Sequence, residues 1–80
     1  MERDEIKGRV NKVIAQVLKI DVAQVAEEHS FASDLGAESV QSVELMAGFE
    51  EEFEIEMDED EALEVQTVSG AIDFIATQIS

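Results

Sequence analysis

The sequence predicts an all-α fold: an antiparallel four-helix bundle with three longer helices, one short third helix and a long loop between helices 1 and 2. Three observations lead there. Three stretches place apolar residues at three- and four-residue spacing, the signature of helices with one buried face. The one stretch that alternates like a strand, Phe53-Glu54-Ile55-Glu56-Met57, has no partner strand, and an isolated strand is not stable in water. The 80 residues contain no proline, no repeat and no boundary in composition, so 1–80 reads as a single domain.

The first helix carries Ile6, Val10, Val13, Ile14, Val17 and Leu18 on one face. Glu2, Asp4 and Glu5 crowd its start and Lys19 stands near its end, as the helix dipole favours. An irregular stretch from Ile20 to Glu38 follows, with a short turn expected around Ala23–Ala26. Loops of that length in a compact domain are uncommon and often functional. Val22, Val25, Phe31 and Leu35 are expected to pin it to the core, and Gly36 to end it with a turn.

The second helix is expected to start at Ser39, a preferred N-cap residue. Ser42, Leu45, Met46, Phe49 and Phe53 form its inward face, and Val40, Val43 and Ala47 a smaller apolar stripe left outside. Gly48 within this helix costs about 1 kcal/mol relative to Ala, which points to close packing. Residues 53–57 are then an extended loop. Asp58 and Glu61, at capping-box spacing, begin a short helix through Glu64. Thr67 caps the last helix, whose Val68, Ala71, Ile72, Ile75, Ala76 and Ile79 share one face.

Composition narrows the function. Twenty acids against five bases give a net charge of −15. All five bases (Arg3, Lys7, Arg9, Lys12 and Lys19) lie in the first nineteen residues, and the seventeen acids beyond them have no base in the same stretch. Such a surface repels phosphate backbones and anionic lipid, so neither a nucleic acid nor a membrane is an expected partner. It is either a solvated acidic face or a surface that steers toward basic partners, and composition does not choose between them. Cysteine is absent, which removes disulfides, thiolate metal sites and a cysteine nucleophile. No apolar run is long enough to span a bilayer or to act as a signal peptide, so the default compartment is the cytoplasm.

Conventional active sites are hard to assemble from these residues. A Ser39–His29–Asp34 triad would lack the glycines of a nucleophile elbow around Ala37-Glu38-Ser39-Val40-Gln41. The run Asp58-Glu59-Asp60-Glu61 fails as a calcium loop because Leu63 stands where glycine is needed. The expectation is a non-catalytic protein with no resident metal.

The string Asp34-Leu35-Gly36-Ala37-Glu38-Ser39-Val40, continued by Val43-Glu44-Leu45 and Glu50-Glu51-Glu52-Phe53, resembles the acyl carrier protein family. There an Asp-Ser-Leu motif opens the second helix and its serine carries 4′-phosphopantetheine. The resemblance runs from the first helix to Ala71-Ile72-Asp73-Phe74-Ile75. It implies that Ser39 bears the phosphopantetheine, at a helix N-terminus suited to a phosphodiester. The thiol arrives with the cofactor. It further implies an acyl pocket lined by Phe31, Leu35, Leu45, Phe49, Met57, Ala62, Val65 and Ala71, although each of these serves equally well as a plain core residue. Partner enzymes with basic patches would dock on Glu38, Val40, Gln41, Val43, Glu44, Ala47, Glu50 and Glu51. The expected partners are a phosphopantetheinyl transferase and acyl-transferring enzymes of fatty-acid or specialised lipid or polyketide synthesis, with the carrier a monomer.

This chain departs from the family pattern at several positions. Glu38 replaces the usual Asp, Val40 replaces Leu, and Gln41 stands where many members have an acid used in docking the transferase. Asp58 replaces a frequent proline and Ala47 a larger apolar residue. These changes weaken modification by a general transferase or mark a specialised carrier with dedicated partners. The competing readings are an aminoacyl or D-alanyl carrier with the same arm, and an unmodified acidic adaptor that keeps only the docking face.

Overall fold

The computed structural model describes residues 2–79, and of Ser39 the backbone alone. It contains four α-helices, α1 (Arg3–Leu18), α2 (Ser39–Phe53), α3 (Glu59–Glu64) and α4 (Val68–Ile79), with a 3₁₀ turn at Val22–Gln24. Among the described residues there is no strand, only a single isolated bridge between Ser30 and Thr67.

Helix α1 packs against both α2 and α4. Its Ile6, Val10, Val13 and Ile14 are buried, while Val17 and Leu18 are partly buried against the same core. From the other side come Val68, Ala71, Ile72 and Ile75 of α4, and Leu45, Phe49 and Phe53 of α2. Each fully buried aliphatic or aromatic side chain of this kind contributes about 1.5–3 kcal/mol. Gly48 does what its position in the helix suggests. A Cβ there would come within 2.8 Å of Val13 Cγ1, so the missing side chain lets α1 and α2 approach closely.

The helix ends follow local chemistry. Asp4 and Glu5 lie in the first turn of α1 and favour its positive end. Lys19 takes a left-handed conformation, φ 58°, and its N–H returns to the Ala15 carbonyl. Glu54 ends α2 in the same way, with φ 55°. Asp58 Oδ1 accepts from the Glu61 N–H at 3.2 Å and begins α3. Thr67 Oγ1 accepts from the Gly70 N–H at 3.0 Å and begins α4.

Two expectations about the loop are corrected. The turn falls at Val22–Gln24 rather than Ala23–Ala26, because Asp21 Oδ1 accepts from the Ala23 N–H at 2.9 Å and sets the start earlier. Val22 is half exposed and does not pin the loop. Val25 and Phe31 are buried and do so. The later part of the loop is stitched to the start of α4: Phe31 N–H donates to Gln66 O at 2.9 Å, Val68 N–H to His29 O at 3.0 Å and Ser69 N–H to Glu27 O at 2.9 Å. Arg3 then joins three elements at the rim, through Glu27 at 2.8 Å and Asp73 at 3.2 Å, with Lys7 adding a contact to Glu27 at 3.3 Å. Among the described residues, no helix is long and apolar enough to cross a membrane.

Candidate functional site: the opening of α2 and the cavity beside it

The chain is led into α2 by three residues with distinct tasks. Gly36 takes φ +70°, the left-handed region that glycine enters without strain. Ala37 N–H donates to Phe31 O at 2.7 Å, which fixes the approach. Glu38 is extended, and its N–H donates to Gln41 Oε1 at 2.9 Å. The first helical bond runs from Ser42 N–H to Glu38 O at 3.0 Å. Ser39 is therefore the first helical residue, where the helix is expected to start, while the cap is Glu38 and not Ser39 itself. The physical reason is Gln41, whose side chain reaches back to the Glu38 N–H and gives Glu38 the cap position. Ser39 stands at the positive end of a 15-residue helix dipole. The side chain of Ser39, expected to bear the arm, lies outside the described residues.

One helical turn on, Ser42 lines an apolar cavity of about 60 Å³. Its wall brings together Phe31, Leu45, Phe49, Met57, Ala62, Val65 and Ala71, seven of the eight positions taken from the resemblance. Leu35 is not among them; it packs partly buried against the main core. The wall also includes Ser42, Met46, Leu63 and Phe74, which the sequence reading did not name as lining. Phe74 lies three residues after Ala71 and Met46 three before Phe49, so helical neighbourhood was the available signal for both.

The docking residues taken from the resemblance divide into two groups. Glu38, Val40, Val43, Glu44, Ala47 and Glu51 are exposed, with Val40 at 60% and Val43 at 49% of full accessibility. Val40, Val43 and Ala47 form an apolar stripe at helical spacing with Glu44 and Glu51 alongside. Gln41 and Glu50, by contrast, are only partly exposed. Gln41 is engaged in capping, and Glu50 Oε2 accepts from the Met57 N–H at 3.0 Å. The third acid of the run, Glu52, turns toward α1, where Lys12 and Arg9 approach it at 3.1 and 3.8 Å. Of three consecutive acids, Glu51 alone is fully on the outside.

His29 and Asp34 have local tasks. His29 Nδ1 accepts from the Ala26 N–H at 3.2 Å, and Asp34 Oδ2 accepts from the Ser30 N–H at 2.7 Å. Both order the loop that delivers Phe31 to the cavity. Glu27 on the same loop is held below the usual carboxylate range, first by the hydrogen bond from Arg3 and then by that from Lys7. Among the described residues, no three His, Asp or Glu side chains gather closely enough to hold a metal ion.

A family model described as the phosphopantetheine attachment site matches residues 8–75. The chain belongs to that family. It is a carrier domain, the site of covalent 4′-phosphopantetheine attachment, and such domains are typically non-catalytic carriers that work with modifying and cargo-handling enzymes. The matched stretch takes in Ser39, the exposed face of α2 and every residue of the cavity wall. The residues present suit the group: a hydroxyl-bearing residue opens a long helix, and an apolar cavity begins one turn away at Ser42.

Proposed function

We propose that this carrier domain is an acyl carrier protein, folded as an antiparallel four-helix bundle, with its phosphopantetheine arm on Ser39. It holds acyl intermediates as thioesters and presents them to enzymes of fatty-acid or specialised lipid or polyketide synthesis. The observation that carries the reading is the apolar cavity one helical turn from Ser39. An alkyl chain gains from such a lining about 25 cal/mol for each Å² removed from water. An aminoacyl cargo, with a charged amine, gains nothing there, so the cavity favours an acyl cargo over the aminoacyl alternative.

The arm supplies the thiol that the polypeptide lacks, and the thiol forms the thioester. The chain's own contribution is to offer the Ser39 hydroxyl at the positive end of α2 and to shelter the apolar part of the cargo. It also presents a face to partners. Glu38, Glu44 and Glu51, with Val40, Val43 and Ala47 between them, would meet a basic patch on a phosphopantetheinyl transferase or an acyl-transferring enzyme. Exposed charges of this kind contribute roughly 0.2–1 kcal/mol each, so recognition is spread over the face. The carrier acts as a monomer in the cytoplasm.

Co-expression with a broad-specificity phosphopantetheinyl transferase, followed by intact mass measurement, tests the attachment. The wild-type chain is expected to gain the mass of one arm and Ser39→Ala none. An unchanged wild-type mass would support the unmodified adaptor, and a gain that persists in Ser39→Ala would move the arm to another residue.

A further inference from the structure

The cavity is too small, as it stands, for a long acyl chain. Its 60 Å³ or so is the space open to the centres of water molecules, which need roughly 10–15 Å³ each on that measure, so it holds only a handful of them. A longer chain requires a wall to move, and the walls are held with unequal firmness. Leu45, Phe49 and Ala71 belong to the buried core. Met57, Ala62 and Leu63 belong to α3 and the segment leading into it, and no residue of α3 is buried. None of the acids from Glu56 to Glu64 makes an ion pair among the described residues. The Asp58 cap holds α3 only to its own leading residue.

Among the described residues, one hydrogen bond ties residues 56–65 to another part of the chain: Met57 N–H to Glu50 Oε2, at 3.0 Å. Met57 lines the cavity, and Glu50 stands one turn beyond Met46, which also lines it. A hydrogen bond to a charged acceptor is among the stronger ones available at a partly exposed site.

We propose that Glu50 is a positioning residue that latches the α3 side of the cavity through Met57, and that release of this bond lets the cavity enlarge for a longer chain. This rests on the reading of the cavity as the cargo site, while the latch itself is a property of the unmodified chain. It gives Glu50 a role that a docking charge does not have, and the two roles separate cleanly by substitution. Glu50→Gln keeps the length and an acceptor oxygen but loses the charge. Glu50→Asp keeps the charge but falls one methylene short.

The test measures amide hydrogen exchange at Met57 in the unmodified full-length protein, together with the fluorescence of Nile red, an uncharged apolar dye. The amide of Ile72, in the buried part of α4, reports whether each variant remains folded. Glu50→Asp is expected to speed exchange at Met57 about tenfold and to raise dye fluorescence, with Ile72 still protected. Glu50→Gln, which keeps an acceptor oxygen at the same reach but not its charge, is expected to speed exchange at Met57 less than Glu50→Asp does. Wild-type exchange at Met57 in Glu50→Asp, or opening in Glu50→Gln alone, would overturn the latch. Failure of Ser39 to accept an arm in the mass experiment would defeat the carrier reading and leave these exchange rates unchanged, so the two failures are distinguishable.

Discussion

The seam between α1 and α4 and the side closed by α3 are built from opposite materials. At the first, Ile6, Val10, Ile14, Val68, Ile72 and Ile75 are at most 1% exposed, and Arg3 and Lys7 lace the rim to Glu27 and Asp73. At the second there is no buried residue in α3, no base, and a cavity where the core would otherwise continue. Burial is concentrated at the first seam. The side proposed above to take cargo has the features of a region that opens easily, with little burial and few ties to the rest of the chain.

The largest expected effect comes from attacking the two sides with the same kind of substitution. Ile72→Ala removes a side chain that is 0% exposed and should cost about 2–5 kcal/mol, a large share of the stability of so small a domain. Leu63→Ala in α3, where the side chain is 53% exposed, should cost about 0.5 kcal/mol or less. Urea denaturation midpoints at constant slope measure both. Equal losses would mean that α3 is held as tightly as the α1–α4 seam, against the division drawn above.

An intermediate effect is expected from pH at the laced rim. Glu27 is held below its ordinary range chiefly by the hydrogen bond from Arg3, with Lys7 second. A carboxylate shifted down stabilises the fold above its unfolded value of about 4.3, and that contribution disappears as pH falls through the lower folded value. The Arg3 guanidinium, shifted upward by Glu27 and then Asp73, stays charged throughout the acid range, so it is the carboxylate whose titration ends the attraction. Glu27→Gln should therefore melt below wild type at neutral pH, and the gap should close as pH is taken well below about 4. Thermal melts of the pair across that range provide the check; a gap that stays constant would place the Glu27 contribution outside its charge.

Much of this architecture could be read from the residues because the signals are local. Thr67 and Asp58 cap the helices that follow them, each through a side chain bonding an N–H three residues on. Gly48 announced close packing and meets Val13. Ser39 looks like a cap from its residue type, but the cap is decided by Gln41, whose amide oxygen accepts from the Glu38 N–H. The resemblance implies a place for Leu35 in the cavity wall, yet the loop path that sets it against the main core is fixed in part by a hydrogen bond to a distant residue, Phe31 N–H to Gln66 O. Glu50 posed a harder problem. As one of three consecutive acids it looks like surface charge, and only the return of the chain at Met57, seven residues later, brings a donor to it.

The smallest expected effect concerns ionic strength, where the two sides should pull in opposite directions. Of the seventeen acids beyond Lys19, only Glu27, Glu52 and Asp73 have a base partner among the described residues. Raising salt from about 0.01 to 0.1 M shortens the screening length from about 30 to 10 Å, which relieves repulsion among the unpaired acids and weakens the pairs along α1. The repulsive pairs are the more numerous and belong mostly to exposed residues, so the melting temperature should rise modestly. Arg3→Ala sharpens the comparison. It deletes the attractive contacts to Glu27 and Asp73 and leaves the unpaired acids untouched, so its melting temperature should start lower and gain more from the same addition of salt. A wild-type melting temperature that stays flat or falls would show that the few pairs on α1 outweigh the acids left without partners.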